Sequence, residues 1–135
     1  MKLPGKWIDG LTARTAVTDG VRRILKIRIG AVSAIIDGMA RDGGCGAKRV
    51  RDLRVAARRA DAALRLFRPW IEEGSNGNPA CRTLRKKLRE IRRAAGVIRD
   101  CDIHAEVFKE LVERASQTQI GPVLHLVTKA ERYRA

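Results

Sequence analysis

Residues 79–99, PACRTLRKKLREIRRAAGVIR, decide the fold class. Leu84, Leu88, Ile91, Ala95 and Ile98 recur at three- and four-residue steps, so on a helix turning about 100° per residue they form one apolar face. Arg82, Arg85, Lys86, Arg89, Arg92 and Arg93 fall beside that face within an arc of roughly 120°. A half-buried strand would alternate every second residue, and this segment does not. Pro79 suits the first turn of the helix, where an absent N–H leaves no bond unmade.

The same helical period extends outward in both directions. Gly74-Ser75-Asn76-Gly77-Asn78-Pro79 reads as a turn-forming linker, and ahead of it a helix is expected from Ala47 to Ile71. Its core face holds Val50, Leu53, Ala57, Ala60, Leu64 and Phe67, with Arg51, Arg54, Arg58 and Arg65 in an adjacent stripe. Asp42-Gly43-Gly44-Cys45-Gly46 breaks that helix from an earlier one, expected from Thr18 as N-cap to Arg41. There Val21, Ile24, Leu25, Val32, Ile35, Ile36 and Met39 share a face, and Arg28 falls within the same apolar stripe. If Arg28 faces the basic surface it adds a cation there; if it turns to the core, burial requires that it be paired, with Asp100 or Asp102 as the expected partner. Downstream, a fourth helix is expected from Asp102, as N-cap, to Ser116, and Gly121-Pro122 opens a last short one. The expectation is an all-α antiparallel bundle of about four long helices plus a short C-terminal helix. Residues 18–135 form that domain, and residues 1–17 form an N-terminal arm anchored by Trp7 and Ile8.

The chain is 135 residues long, with 29 Lys and Arg against 15 Asp and Glu and a net charge of +14. That length fits one domain, and 44% apolar residues suffice for a core. Most of the charge sits between Lys48 and Arg99, where only Asp52, Asp61, Glu72, Glu73 and Glu90 interrupt the cations. Like charges three and four residues apart destabilise a helix by a few tenths of a kcal/mol per pair. A solvated face is the plain reading of such a run. The density of charge and the choice of Arg, whose planar fork pairs bidentately with phosphate, favour a polyanion instead. Aromatics at 4% argue against a base-stacking platform. No apolar run is long enough to span a membrane, and no helix pairs a basic face with an exposed aromatic-rich one. MKLPGKWIDG lacks the apolar stretch of a signal peptide, and three irregularly spaced cysteines suit a reducing, cytoplasmic setting.

The run Val50-Arg51-Asp52-Leu53-Arg54-Val55-Ala56-Ala57-Arg58-Arg59, continuing through Ala63-Leu64-Arg65-Leu66-Phe67, resembles the first motif of the CHAD (conserved histidine α-helical domain) family. A second hallmark, a basic helix ending in Gly-x-x-Arg-Asp-x-Asp, is similar to Leu84–Arg89 and Gly96-Val97-Ile98-Arg99-Asp100-Cys101-Asp102. Lys6-Trp7-Ile8-Asp9-Gly10-Leu11 and Val21-Arg22-Arg23-Ile24-Leu25 also look familial, so the resemblance covers most of residues 6–135. It implies an all-helical domain that binds inorganic polyphosphate through a basic surface, in some relatives on polyphosphate granules. Arg54, Arg58 and Arg59 match the first motif, and Arg85, Lys86, Arg89 and Arg93 match the basic helix. Arg99, Asp100 and Asp102 match the second, where they are expected to form a charged cap between two helices. With the stripe residues Arg51, Arg65, Arg82 and Arg92, the two helices make up the expected polyphosphate surface. Arg51 stands where the family has its histidine, which keeps the charge and removes titration near neutral pH. The family unit has two similar halves, and this chain resembles the first. It is either a fragment or half of a symmetric homodimer.

No catalytic constellation accompanies these motifs. Cys101-x-x-His104 lacks the second closely spaced pair of a zinc site, with Cys45, Cys81 and His125 only remote partners. Gly43-Gly44-Cys45-Gly46 lacks the Lys-Ser/Thr of a phosphate loop. Asp100 and Asp102 beside Arg99 read as an ion pair rather than a Mg²⁺ site. Neither a metal nor a cofactor is expected. Nucleic acid is the rival ligand, since the same cations attract it, although the basic faces offer few groups for base edges. A scaffold for an acidic protein is a third alternative.

Overall fold

Gly43 and Gly46 bracket the turn on which the first helical hairpin is built. In the computed structural model, which describes residues 4–5, 7–71, 78–114 and 117–134, α1 spans Val17–Asp42 and α2 spans Ala47–Leu66. Gly43 ends α1 with φ 61°, a left-handed conformation that glycine adopts without a Cβ clash. Arg49 closes the turn by donating to the Asp42 carboxylate and, at 3.3 Å, to the Gly38 carbonyl. α1 opens at Val17, one residue ahead of the expected Thr18, and no side chain caps it. α1 and α2 pack on one another through Val21, Val32 and Ile35 on one side and Val50, Leu53, Ala57, Ala60 and Leu64 on the other. Small side chains at Ala56, Ala57, Ala60 and Ala63 keep the buried face of α2 shallow, which favours close approach. Ile36, expected in that core, is exposed.

The described residues form four long helices and one short one, and no strand occurs among them. The fold is all-α, as the apolar period implies, while several helix boundaries differ from expectation. α2 ends at Leu66, and a four-residue α3, Arg68–Ile71, follows it. Pro69 explains the break, because inside a continuing helix it would lack an N–H and clash with the preceding turn. Phe67 caps α2 through its N–H to the carbonyls of Ala63 and Arg65 and meets Trp70 edge to face. The linker positions 74–77 and the expected helix end at Ser116 lie outside the described residues.

α4 is a single 36-residue helix, Pro79–Arg114, where two were expected. Asn78 caps it, its Oδ1 accepting from the N–H of Ala80 at 2.9 Å and of Cys81 at 3.4 Å, with Pro79 at the first position. Asp102 is therefore a mid-helix residue, buried, and not an N-cap. Arg99-Asp100-Cys101-Asp102 contains neither Gly nor Pro, and the cost of Asp in a helix is only tenths of a kcal/mol. The apolar period also continues without interruption through Ile98, Cys101, Ala105, Phe108 and Val112. The charged cap expected from Arg99, Asp100 and Asp102 is thus corrected to one helical turn.

α5 runs from Gln117 to Arg134 and contains Pro122 instead of opening at it. The chain divides into two units, Met1–Arg93 and Ala94–Ala135. In the first, the core comprises the α1–α2 interface together with Cys81 and Leu88 of α4. In the second, Ala95, Asp102 and Val127 are buried, and Lys109 pairs with Glu131 at 3.3 Å.

Candidate anion-binding surface

Every cation of the expected polyphosphate surface lies in the unit Met1–Arg93, on α2 or on the first half of α4. On α2, Arg51, Arg54, Arg58 and Arg65 follow one another at three-, four- and seven-residue steps along the rim of the core face. Arg51, Arg58 and Arg65 are exposed and Arg54 is half-buried. On α4, Arg85 and Arg92 occupy the inner edge of the basic arc, next to Cys81 and Leu88, and are half-buried. Arg82, Lys86, Arg89 and Arg93 stand farther out and are exposed.

Asp61 joins the two helices. Its side chain is 5% exposed and lies between the core positions Ala57 and Leu64 of α2 and the arginine stripe. Arg65 of its own helix approaches at 3.7 Å, Arg85 Nε at 3.3 Å and Arg92 Nη1 at 3.5 Å. A buried carboxylate is tolerated only when paired, and here three guanidinium groups share one anion at distances longer than a bidentate pair would show. The result is electrostatic as well as structural. One buried negative charge holds the inner arginines of two helices side by side. Among the described residues, no carboxylate forms an ion pair with Arg51, Arg54, Arg58, Lys86, Arg89 or Arg93. All but the half-buried Arg54 face solvent.

Arg59 does not join this stripe. It projects from the other rim of α2, where Nη1 donates to the Pro4 carbonyl at 2.7 Å. Arg28 of α1, 8% exposed, donates to the neighbouring Gly5 carbonyl at 2.8 Å. Arg28 thus faces the interior and is paired, as burial requires. Desolvation, and after it the charge of Arg59, pushes the Arg28 guanidinium below its ordinary range. Together the two arginines tie the N-terminal arm to α1 and α2. Trp7, expected to anchor that arm, is 79% exposed, and Ile8 is half-buried.

Asp61 is the residue that the sequence pattern leaves inconspicuous, as one of few acids in a basic run. Its position is nonetheless informative: a carboxylate on the core side of a helix, one turn from Arg58 and Arg65, requires cationic partners. No group of His, Cys, Asp and Glu suited to a metal occurs among the described residues, and no helix there is long and apolar enough to cross a membrane.

Comparison with known protein families matches residues 30–135 to the CHAD domain. Neither a curated protein nor a solved structure matches the chain. The match takes in α2, α3, α4, α5 and the second half of α1, including every arginine of the basic stripes. On that extent of agreement, the chain belongs to the CHAD family.

Proposed function

We propose that the Arg and Lys stripes of α2 and α4 bind inorganic polyphosphate without turning it over. CHAD domains are associated with polyphosphate binding, and this chain belongs to that family. The observation that carries the reading is the Asp61 cluster. In it Arg65 of α2 and Arg85 and Arg92 of α4 share one carboxylate, while among the described residues Arg51, Arg54, Arg58, Lys86, Arg89 and Arg93 have no acidic partner. A linear anion with one charge per repeat matches cations repeated along the face of each helix. Each guanidinium donates in pairs to phosphate oxygens, and binding releases counterions from both partners. Arg59 contributes through the arm rather than through the stripes. A protein with this surface partitions onto polyphosphate granules where they exist.

Retention on immobilised polyphosphate at low salt tests the reading, with Arg58→Ala and Arg89→Ala as the informative variants. Each is expected to weaken binding several-fold, and the pair more. Unchanged retention in both would overturn the assignment of the surface. Competition with DNA and RNA at matched phosphate concentration separates the ligands. Preference for nucleic acid would replace polyphosphate as the partner.

A further inference from the structure

The second half of α4 is apolar on two opposite sides. One side carries buried Ala95 and half-buried Ile98, Ala105, Phe108 and Val112. The other presents Ile103, Val107 and Leu111 to solvent, at 40%, 46% and 47% exposure. A helix that is apolar on both sides is built to be covered on both. Ile103, Val107 and Leu111 follow at four-residue steps, which makes a continuous ridge of the kind that packs into a facing helix. Glu106, Glu110 and Glu113 border the ridge, so an anionic membrane or a nucleic acid is a poor occupant.

The charges at the ends of the ridge identify a better one. Asp100, Val107 and Arg114 stand seven residues apart, on one line of the helix, with Asp100 and Arg114 each roughly 10 Å from Val107 along the axis. Both end residues are exposed, and among the described residues neither is in an ion pair. Two copies laid antiparallel about a two-fold axis at Val107 bring Asp100 of each against Arg114 of the other. Laid parallel, they would set Asp100 against Asp100 and Arg114 against Arg114. We infer that this face is a self-complementary interface, on which a second copy of the chain docks antiparallel through Ile103, Val107 and Leu111. A single helix seam covers less area than a standard stable interface, so the dimer is a weak one.

Sedimentation velocity over a series from micromolar to about 0.5 mM protein tests this, with the full chain and with four variants. The parent shifts from monomer toward dimer across the series. Val107→Glu, or Leu111→Glu should the first fail to fold by circular dichroism, lowers self-association by at least about tenfold. Asp100→Arg and Arg114→Asp each weaken it, and the double exchange restores it, because the pairs are rebuilt with their signs reversed. A parent that stays monomeric throughout overturns the inference, as does a double exchange no better than either single one.

Discussion

Removing the charge of Asp61 has consequences that its neighbours define. In Asp61→Asn the shape is nearly kept, but Arg65, Arg85 and Arg92 converge on a group that no longer balances them. Breaking a fully buried pair costs about 3–5 kcal/mol, and here the half-exposed arginines recover part of that by turning to water. A loss of roughly 1–3 kcal/mol is expected, seen as a fall of several degrees in Tm. An unchanged Tm would show that the arginines are held by something other than this carboxylate. Arg51 carries a different prediction. No histidine lies in the basic stripes, and Arg51→His exchanges a permanent cation for one that is lost as pH rises through about 6.5. The ratio of polyphosphate affinity at pH 5.5 to that at pH 8 should therefore be larger in the variant than in the parent. Among single residues, the stripe arginines are legible in the sequence because helical period alone places them. Asp61 and Arg59 are not, since one depends on a neighbouring helix and the other on an arm some fifty residues upstream.

At the level of elements, period identifies the helices and punctuation misplaces their ends. The Asn78 cap and the Gly43 terminus stand where short-range chemistry puts them, whereas Asp102 and Gly121-Pro122 read as starts that the continuing apolar period overrides. Pro69 is the opposite case, a real break inside a segment whose pattern alone runs on to Ile71. Two glycines test the same distinction between local and contextual rules. Gly43 sits at φ 61°, with open space where a Cβ would stand, so Gly43→Ala meets only backbone strain and should cost about 1 kcal/mol. Gly30, inside α1, also faces open space but has no such conformation, so Gly30→Ala should stabilise the helix by about 0.5–1 kcal/mol. Chemical denaturation of the two variants checks both signs at once. Destabilisation by Gly30→Ala would mean that α1 needs its close approach to a group that the helix does not itself supply.

For the whole molecule, a net charge of +14 raises the question of how much binding is specific contact and how much is counterion release. The two contributions differ in their response to salt. If the stripes grip polyphosphate through individual guanidinium–phosphate pairs, log affinity falls linearly with log salt, and each arginine removed lowers that slope by about one. Arg58→Ala and Arg89→Ala should each do so. Arg41→Ala, on the α1 end of the hairpin and away from the Asp61 cluster, should leave the slope nearly unchanged although it removes the same charge. Titrations of parent and variants between about 50 and 200 mM salt measure all of these slopes. Equal reductions from all three variants would mean that polyphosphate samples the positive field without using a built surface. Unequal ones, in that order, tie the affinity to the helices that Asp61 draws together.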